Sequence, residues 1–184
     1  WLSIATNMFH LINSVRDYRT LSNVFACYHR EVSQIILTIA KYAIKLGQSK
    51  EVIYALEVAA DITQPNNDSS SNSCLTAAHV AFVQVCNTAR MYKYASTWIQ
   101  KNPILAINPT EAYITTEDYL VYHYHASLTF IAQKEYNLAM ECLNNCITIP
   151  SVAPSEISLL AIRTAMFVSL LHNGQPYILP NFVS

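Results

Sequence analysis

The chain has 184 residues, of which 52% are hydrophobic and 12% are charged, and its formal net charge is −1 at pH 7. This length suffices for one domain with its own core or for a row of small stacked units. A near-neutral charge argues against nucleic acid as a partner, because phosphate binding needs a basic surface. No apolar run reaches the roughly 20 uncharged residues of a membrane helix, so we expect no membrane span.

The scarcity of charge also predicts contact with other protein. Charged residues have about half of the frequency that is typical of soluble domains, and the chain holds 12 tyrosines, which combine a large contact area with a polar tip. The sequence begins WLSIATNMF, without an initiator methionine. We therefore expect a part of a longer protein, with much of its exterior covered by a partner or by another part of the same protein.

The cysteines predict an intracellular protein. The chain has five, which is an odd number, and they are scattered through apolar periodic segments: Cys27, Cys74, Cys86, Cys142 and Cys146. This distribution is typical of reduced, buried thiols in the nucleus or cytoplasm.

The pattern of glycine and apolar residues predicts an all-α fold without a sheet. The two glycines, Gly47 and Gly174, each follow a long helical pattern, as helix C-caps do. Sheet proteins need more glycine in their turns, whereas Ala, Leu, Ile and Tyr recur here with helical spacing.

Three helices are predicted before residue 65, with a polar segment after them. They cover Leu2–Arg16, Asn23–Leu46 and Lys50–Ile62. The apolar stripe of the second helix comprises Val24, Cys27, Tyr28, Ile35, Ile39, Tyr42 and Leu46. Residues 65–73, PNNDSSSNS, predict a mobile linker. Within it, Asn67-Asp68-Ser69 matches a glycosylation acceptor and Ser69 to Ser71 are candidates for phosphorylation, but chance and a plain linker explain these residues equally well.

Five further helices are predicted in the rest of the chain. They cover Cys74–Tyr92, Tyr94–Lys101, Glu117–Gln133, Tyr136–Ile147 and Pro154–Leu171. The acidic pair Glu117-Asp118 stands at a helix start, where interaction with the helix dipole explains it better than catalysis does.

An internal repeat indicates how the helices are arranged. Segments that follow the predicted hairpin tips align, with Ala55, Ala95 and Ala139 at intervals of 40 and 44 residues. Adding four gives Ala59, Ile99 and Leu143, and adding seven gives Ile62, Asn102 and Cys146. The repeat predicts helical hairpins at residues 23–64, 74–102 and 117–149, and a further long helix at 154–173. Such pairs bury their faces by stacking, which predicts an α-solenoid with a right-handed superhelix over residues 1–184.

The last hairpin resembles a tetratricopeptide repeat, in which small residues allow two helices to approach closely. Ser127 and Cys146 stand where small residues belong, Phe130 where an aromatic ring belongs and Ala139 where alanine belongs. The residues predicted to pack the hairpins are Ala55, Ala59, Ala95, Ile99, Ser127, Phe130, Ala139, Leu143 and Cys146.

The histidines and cysteines of residues 119–150 leave a metal site as an alternative. Cys142 and Cys146 are four apart and share one helix face, whereas His123 and His125 are two apart and point about 200° away from each other. At most one histidine could join the cysteines, and no tight Cys-x-x-Cys knuckle is present. We therefore favour buried packing and expect no metal and no cofactor. Elemental analysis for zinc would decide the alternative, a metal-binding sensor or enzyme built on His123, Cys142 and Cys146.

No catalytic motif stands out in the sequence. Two glycines cannot form a phosphate-binding loop, and no Gly-x-Ser-x-Gly elbow is present. We expect no enzymatic activity and no small-molecule substrate.

From Cys74 onward, the sequence resembles the third subunit of the COP-nine signalosome. The resemblance rests on LTAAHVAFVQVCNTARMYKYASTWIQ, on EDYLVYHYHASLTFIAQKEYNLAMECLNNCITIP and above all on ITIPSVAPSEISLLAIRTAMFVSLLHNGQ. The linker and YHYHASL depart from the pattern, and residues 1–65 fit it more loosely.

The resemblance implies a non-catalytic scaffold subunit of the complex that removes Nedd8 from cullin ubiquitin ligases. It implies other signalosome subunits as partners, cullin–RING ligases as indirect partners, and a location in the nucleus and cytoplasm. It also implies a C-terminal winged-helix (PCI) domain, which we expect to lie outside this sequence. A homologous subunit of the proteasome lid and a free-standing helical-repeat adaptor for peptides remain alternatives.

Overall fold

The computed structural model describes residues 28–63, 74–107, 112–149 and 155–179. These ranges contain seven helices: α1 His29–Lys45, α2 Ser49–Ile62, α3 Ala77–Thr88, α4 Tyr92–Lys101, α5 Thr116–Ala132, α6 Tyr136–Ile147 and α7 Glu156–Asn173. The same ranges hold no strand, only an isolated parallel bridge between Cys74 and Ala106. The predicted all-α fold is confirmed. The predicted helix Leu2–Arg16 and the predicted linker 65–73 lie outside the described residues.

Three helical hairpins turn through the same backbone geometry. The turn residue is left-handed in each: Gly47 has φ 72°, Arg90 has φ 58° and Lys134 has φ 63°. In each tip, the N–H of the next residue donates to a carbonyl five residues earlier at 2.9 Å: Gln48 to Ala43, Met91 to Cys86 and Glu135 to Phe130. The left-handed residues are 43 and 44 residues apart, and this interval is the structural repeat of the protein.

This interval corrects the first step of the repeat that the sequence predicts. Ala95 and Ala139 each lie five residues after the left-handed residue of their tip, but Val52, not Ala55, lies five residues after Gly47. The predicted alignment is therefore wrong by three residues in the first hairpin. The predicted alignment was based on matching alanines, whereas the left-handed residue of each tip defines the repeat.

Side-by-side packing of the first helix of each hairpin builds the array. Helix α1 packs against α3, α3 against α5, and α5 against α7. Each second helix also packs on the first helix of the next hairpin, so that α2 contacts α3, α4 contacts α5, and α6 contacts α7. This connectivity is that of an α-solenoid, in which each unit is buried by its neighbours.

Helix α3 lies at the centre of the larger of two hydrophobic clusters. Every residue from Ala77 to Val83 is buried. The second cluster joins α5, α6 and α7 around Leu143, Ala161 and Ala165. Within the described ranges, no helix is both long enough and apolar enough to span a bilayer.

Two predicted helices differ from those observed by three or more residues at one end or both. Helix α1 begins at His29, after the non-helical Tyr28, rather than at Asn23. The predicted helix Cys74–Tyr92 is shorter, because Arg90 forms a hairpin tip there. This tip contains no glycine, so the apolar pattern in the sequence predicts a helix that continues through it.

The predicted stripe of α1 is also not its buried face. Ile36, Ala40 and Ala43 are buried, whereas the stripe residues include the exposed Tyr28, Ile35, Tyr42 and Leu46. Helix α1 packs on α2 and α3 through the face beside the stripe. The periodicity correctly indicated a helix but selected the wrong side of it.

Candidate functional site

All nine residues predicted to pack the hairpins are buried, with exposed fractions of 9% or less. Ala55 and Ala59 lie on α2, and Ala95 and Ile99 lie on α4. The other five lie on α5 and α6: Ser127, Phe130, Ala139, Leu143 and Cys146. Ser127 is buried without losing its hydrogen bond, since its hydroxyl donates to the Tyr124 carbonyl at 2.6 Å.

The candidate metal residues of α5 and α6 are engaged in packing. The Cys146 thiol lies 3.6 Å from the Leu120 carbonyl, to which it donates. Burial raises the pKa of both the Cys142 and Cys146 thiols to about 12, so both stay protonated at neutral pH. In the part of the chain that the structure describes, no three His, Cys, Asp or Glu side chains form a group able to hold a metal.

The two histidines of α5 face different neighbours, as their spacing predicts. His123 lies between the Tyr119 and Tyr122 rings, with centroid distances of 4.3 and 5.2 Å, and its Nδ1 lies 3.4 Å from Asn145 Nδ2 on α6. The His125 ring faces α3 instead, with its Nδ1 3.4 Å from Asn87 Nδ2. Each ring therefore belongs to a separate helix interface.

Asn87 of α3 forms a polar link to α5. Its amide nitrogen donates to the His125 carbonyl at 2.6 Å, and its amide oxygen accepts from the Thr129 hydroxyl at 3.1 Å. Both ends of one side chain thus connect two hairpins. Asn87 was not predicted from the sequence, although a single asparagine near the end of a largely apolar helix was an available signal.

His79 fixes the start of α3. Its Nδ1 accepts the backbone N–H of Thr76 at 3.3 Å and lies 2.8 Å from the Thr76 hydroxyl, which in turn lies 3.0 Å from the Thr63 hydroxyl. The ring contacts Trp98 at 5.3 Å between centroids. Burial lowers the pKa of His79 to about 4, so the imidazole is neutral at physiological pH.

Polar contacts also join the second helices of successive hairpins. The Tyr94 hydroxyl of α4 donates to the Glu57 carboxylate of α2. The Glu135 carboxylate, next to α6, accepts from Ser96 at 3.1 Å and from Gln100 at 2.8 Å, both on α4. These carboxylates stabilise contacts between repeats.

Asp118, one of the predicted acidic pair, caps the start of α5 by accepting the Thr115 N–H at 3.0 Å.

A cleft between the starts of α1 and α3 is too small for a substrate. It is lined by residues that include His29, Ile36 and Thr76, and its volume is about 10 Å³, roughly the room that one water needs. The cleft therefore offers no binding site for an organic ligand.

Both ends of the described array present apolar side chains. On α7, Phe167 is 69% exposed and Leu171 is 68% exposed, and Met166 and Leu170 are also exposed. On α1, the exposed stripe described above lies at the opposite end. Exposed apolar patches of this kind mark contact with further protein.

Stacked hairpins joined by apolar and polar contacts define the class of the protein: a helical-repeat solenoid. Residues 5–184 match the family model described as COP9 signalosome complex subunit 3, N-terminal helical repeats. The chain belongs to this family.

Two curated relatives carry the name COP9 signalosome complex subunit 3. The one from Dictyostelium discoideum is 32% identical over 133 residues, which cover 72% of this chain and 32% of the relative. The one from Arabidopsis thaliana is 30% identical over 105 residues, which cover 57% of this chain and 23% of the relative. The matched stretch thus spans a third or less of each relative's length.

Proposed function

We propose that this chain is the non-catalytic scaffold part of a signalosome subunit and holds neighbouring subunits at a fixed spacing. The exposed apolar face of α7 carries the proposal, because an array with such an end is completed by adding further protein. That protein is either later residues of the same polypeptide or another subunit. The family match favours the signalosome over the proteasome lid among the related complexes.

A non-catalytic role agrees with the chemistry of the described residues. The cysteines of α6 are held as neutral thiols. His79, His123 and His125 are held neutral by burial, which lowers the pKa of each to about 4. General acid–base catalysis works best with a pKa near the working pH. These groups support packing instead.

The proposal extends to the role of the whole complex. The subunit assists removal of Nedd8 from cullin ubiquitin ligases, with cullins as indirect partners and with the chemistry carried out by a different subunit. It acts in the nucleus and cytoplasm, where reduced thiols persist.

Co-purification from its own cells tests the scaffold role. We expect the full-length tagged protein to bring down other signalosome subunits, identified by mass spectrometry. Phe167→Ser combined with Leu171→Ser should weaken this recovery, because it removes the apolar end. Leu105→Ser is the matched control, since Leu105 is 65% exposed but lies outside α7.

Two results would contradict the proposal. One is a full-length protein that recovers no signalosome subunit. The other is cleavage of Nedd8 from a cullin by this purified protein alone, measured against the intact complex.

A further inference from the structure

The charged residues at the helix ends are divided between two edges of the array. We define the tip edge as the last turn of each first helix, the hairpin tip and the first turn of each second helix. Its basic residues are Lys45, Lys50, Arg90, Lys93 and Lys134, and its acidic residues are Glu51 and Glu135. The opposite edge has the reverse balance, with the acids Glu31, Asp61, Glu117, Asp118 and Glu156 and the bases Arg30 and Lys101. The tip edge is therefore basic, although the whole chain is nearly neutral.

Hydrogen bonds between α3 and α5 indicate that the tips lie on one edge. Asn87 lies three residues before the left-handed Arg90, and its partner Thr129 lies five residues before the left-handed Lys134. These two helices therefore run side by side in the same direction. The cleft described above likewise brings the start of α1 beside the start of α3. Because packed helices have axes about 8–10 Å apart, successive tips follow one another at a similar distance.

Basic side chains recur at equivalent positions of the tips. Arg90 and Lys134 are the left-handed residues of the second and third tips. Lys50 and Lys93 each lie three residues after the left-handed residue of their tip. All four residues are exposed. Their recurrence at the repeat interval sets them in rows along the tip edge.

The cations of the tip edge are not neutralised by the protein itself. None of the five basic residues forms an ion pair in the part of the chain that the structure describes. Glu135, which follows Lys134, instead accepts hydrogen bonds from Ser96 and Gln100 of α4. Of the two acids at this edge, only Glu51 is exposed. The positive charge is therefore available to a partner.

Two of these cations occupy backbone positions that favour glycine. Arg90 has φ 58° and Lys134 has φ 63°, and a side chain at such a φ is strained. Their tips have the same backbone hydrogen bond as the tip at Gly47, so the turn itself does not require a long basic side chain. Strained residues of this kind persist mainly at functional sites. The strain thus favours a role for these cations outside the fold.

We propose that the tip edge binds an acidic, extended segment of another protein. An extended chain rises about 3.3 Å per residue, so carboxylates at every third residue match the distance between tips. Charge complementarity of this kind accelerates association and selects the partner. The tip edge is separate from the apolar face of α7, so its binding does not depend on the proposed function.

Nucleic acid and a second copy of the chain fit the tip edge less well. Each strand of a duplex carries a phosphate about every 3.4 Å, so cations grouped in separate tips would leave most phosphates without a partner. The acidic opposite edge would also repel a long polyanion. On a second copy, that acidic edge includes Arg30 and Lys101, and its Asp118 carboxylate already accepts the Thr115 N–H.

Fluorescence anisotropy of a labelled peptide tests the proposal on the purified full-length protein. The probe is a short peptide with glutamate at every third position and glycine or serine between, and its Glu→Gln analogue is the peptide control. At about 50 mM salt we expect the acidic peptide to bind and the analogue not to bind. At about 500 mM salt the binding should be lost, because salt screens exposed charges.

Arg90→Gly combined with Lys134→Gly should weaken binding of the acidic peptide at least about five-fold, since exposed ion pairs each contribute modestly. Glycine relieves strain at both positions, so thermal unfolding should show no loss of stability. A loss of affinity then reflects the missing charges and not a damaged fold. Arg30→Gln combined with Lys101→Gln is the matched control, because it removes the same charge from the opposite edge and should leave the affinity within about two-fold.

Four results would overturn the proposal. The first is equal binding of the acidic peptide and its glutamine analogue. The second is an equal loss of affinity in the tip variant and the control variant, which would assign the effect to overall charge. The third is a single-stranded oligonucleotide that binds more tightly than the peptide and is lost in the tip variant. The fourth is self-association that the tip variant abolishes, as measured by sedimentation.

Discussion

At the scale of the residue, the described polar side chains act mainly as connectors between helices. Asn87 uses both ends of its amide on α5, and Glu135 accepts from two side chains of α4. A buried polar group that loses its partner carries its full desolvation cost. These residues therefore contribute specificity to the contacts that the apolar side chains make.

Replacing Asn87 by alanine should lower the free energy of unfolding by about 0.5–1.5 kcal/mol, because the hydrogen bonds to α5 are lost while the Thr129 hydroxyl keeps its bond to the His125 carbonyl. Chemical denaturation followed by circular dichroism measures the change. Asn137→Ala is the control, since Asn137 is exposed on α6. A loss no larger than that of the control would show that the link is dispensable.

At the scale of the element, hairpin tips determine the register of the repeat. Gly47 adopts its left-handed conformation without a steric penalty, and a Cβ there would meet nothing within 4 Å. Arg90 and Lys134 adopt the same conformation with side chains, at a cost of about 1 kcal/mol each. The tips thus differ in backbone strain although their hydrogen bonds are the same.

Substitutions at two equivalent tip positions should have opposite effects. Gly47→Ala should destabilise the protein by about 0.5 kcal/mol and Lys134→Gly should stabilise it by a similar amount, because at both positions the strain of a side chain at positive φ exceeds the difference in chain entropy. Thermal and urea unfolding measure both. Gln133→Gly, one residue earlier in a right-handed conformation, is the control and should destabilise. Destabilisation by Lys134→Gly would refute the strain argument.

At the scale of the whole molecule, burial of neutral histidines couples stability to pH. His79, His123 and His125 lie in different helix interfaces, and burial lowers the pKa of each from 6.5 to about 4. Between these values, the unfolded chain binds protons that the folded chain does not. The contribution of these histidines to the free energy of unfolding is therefore complete above pH 6.5 and is lost as the pH falls toward 4.

Urea unfolding between pH 7.5 and 4.5 should show this loss, with at most about 1.4 kcal/mol per pH unit from each histidine. His79 should contribute most, because it is 1% exposed while the other two are half-buried. His79→Gln should be less stable at pH 7.5 but should show a shallower pH dependence. An unchanged slope in this variant would contradict the assignment to His79.

The sequence by itself determined the helical class and the family. Apolar spacing, scarce glycine and the quoted motifs are local properties, and local propensity and burial act on them in the same direction. The predicted bounds of α6, Tyr136–Ile147, coincide with those of the structure for this reason.

Only the tertiary structure decided which helix faces meet and where the repeat begins. A periodic stripe on α1 indicates an apolar face but not its neighbour, and α2 and α3 lie beside the stripe rather than on it. The tip at Arg90 gave no signal, because a non-glycine residue turns left-handed there only when surrounding contacts compensate for its strain. Asn87 likewise has a partner only after α3 and α5 are brought together. Which helix faces meet, where each repeat begins and which side chains pair are properties of helices that are distant in sequence. The sequence of one helix does not determine them.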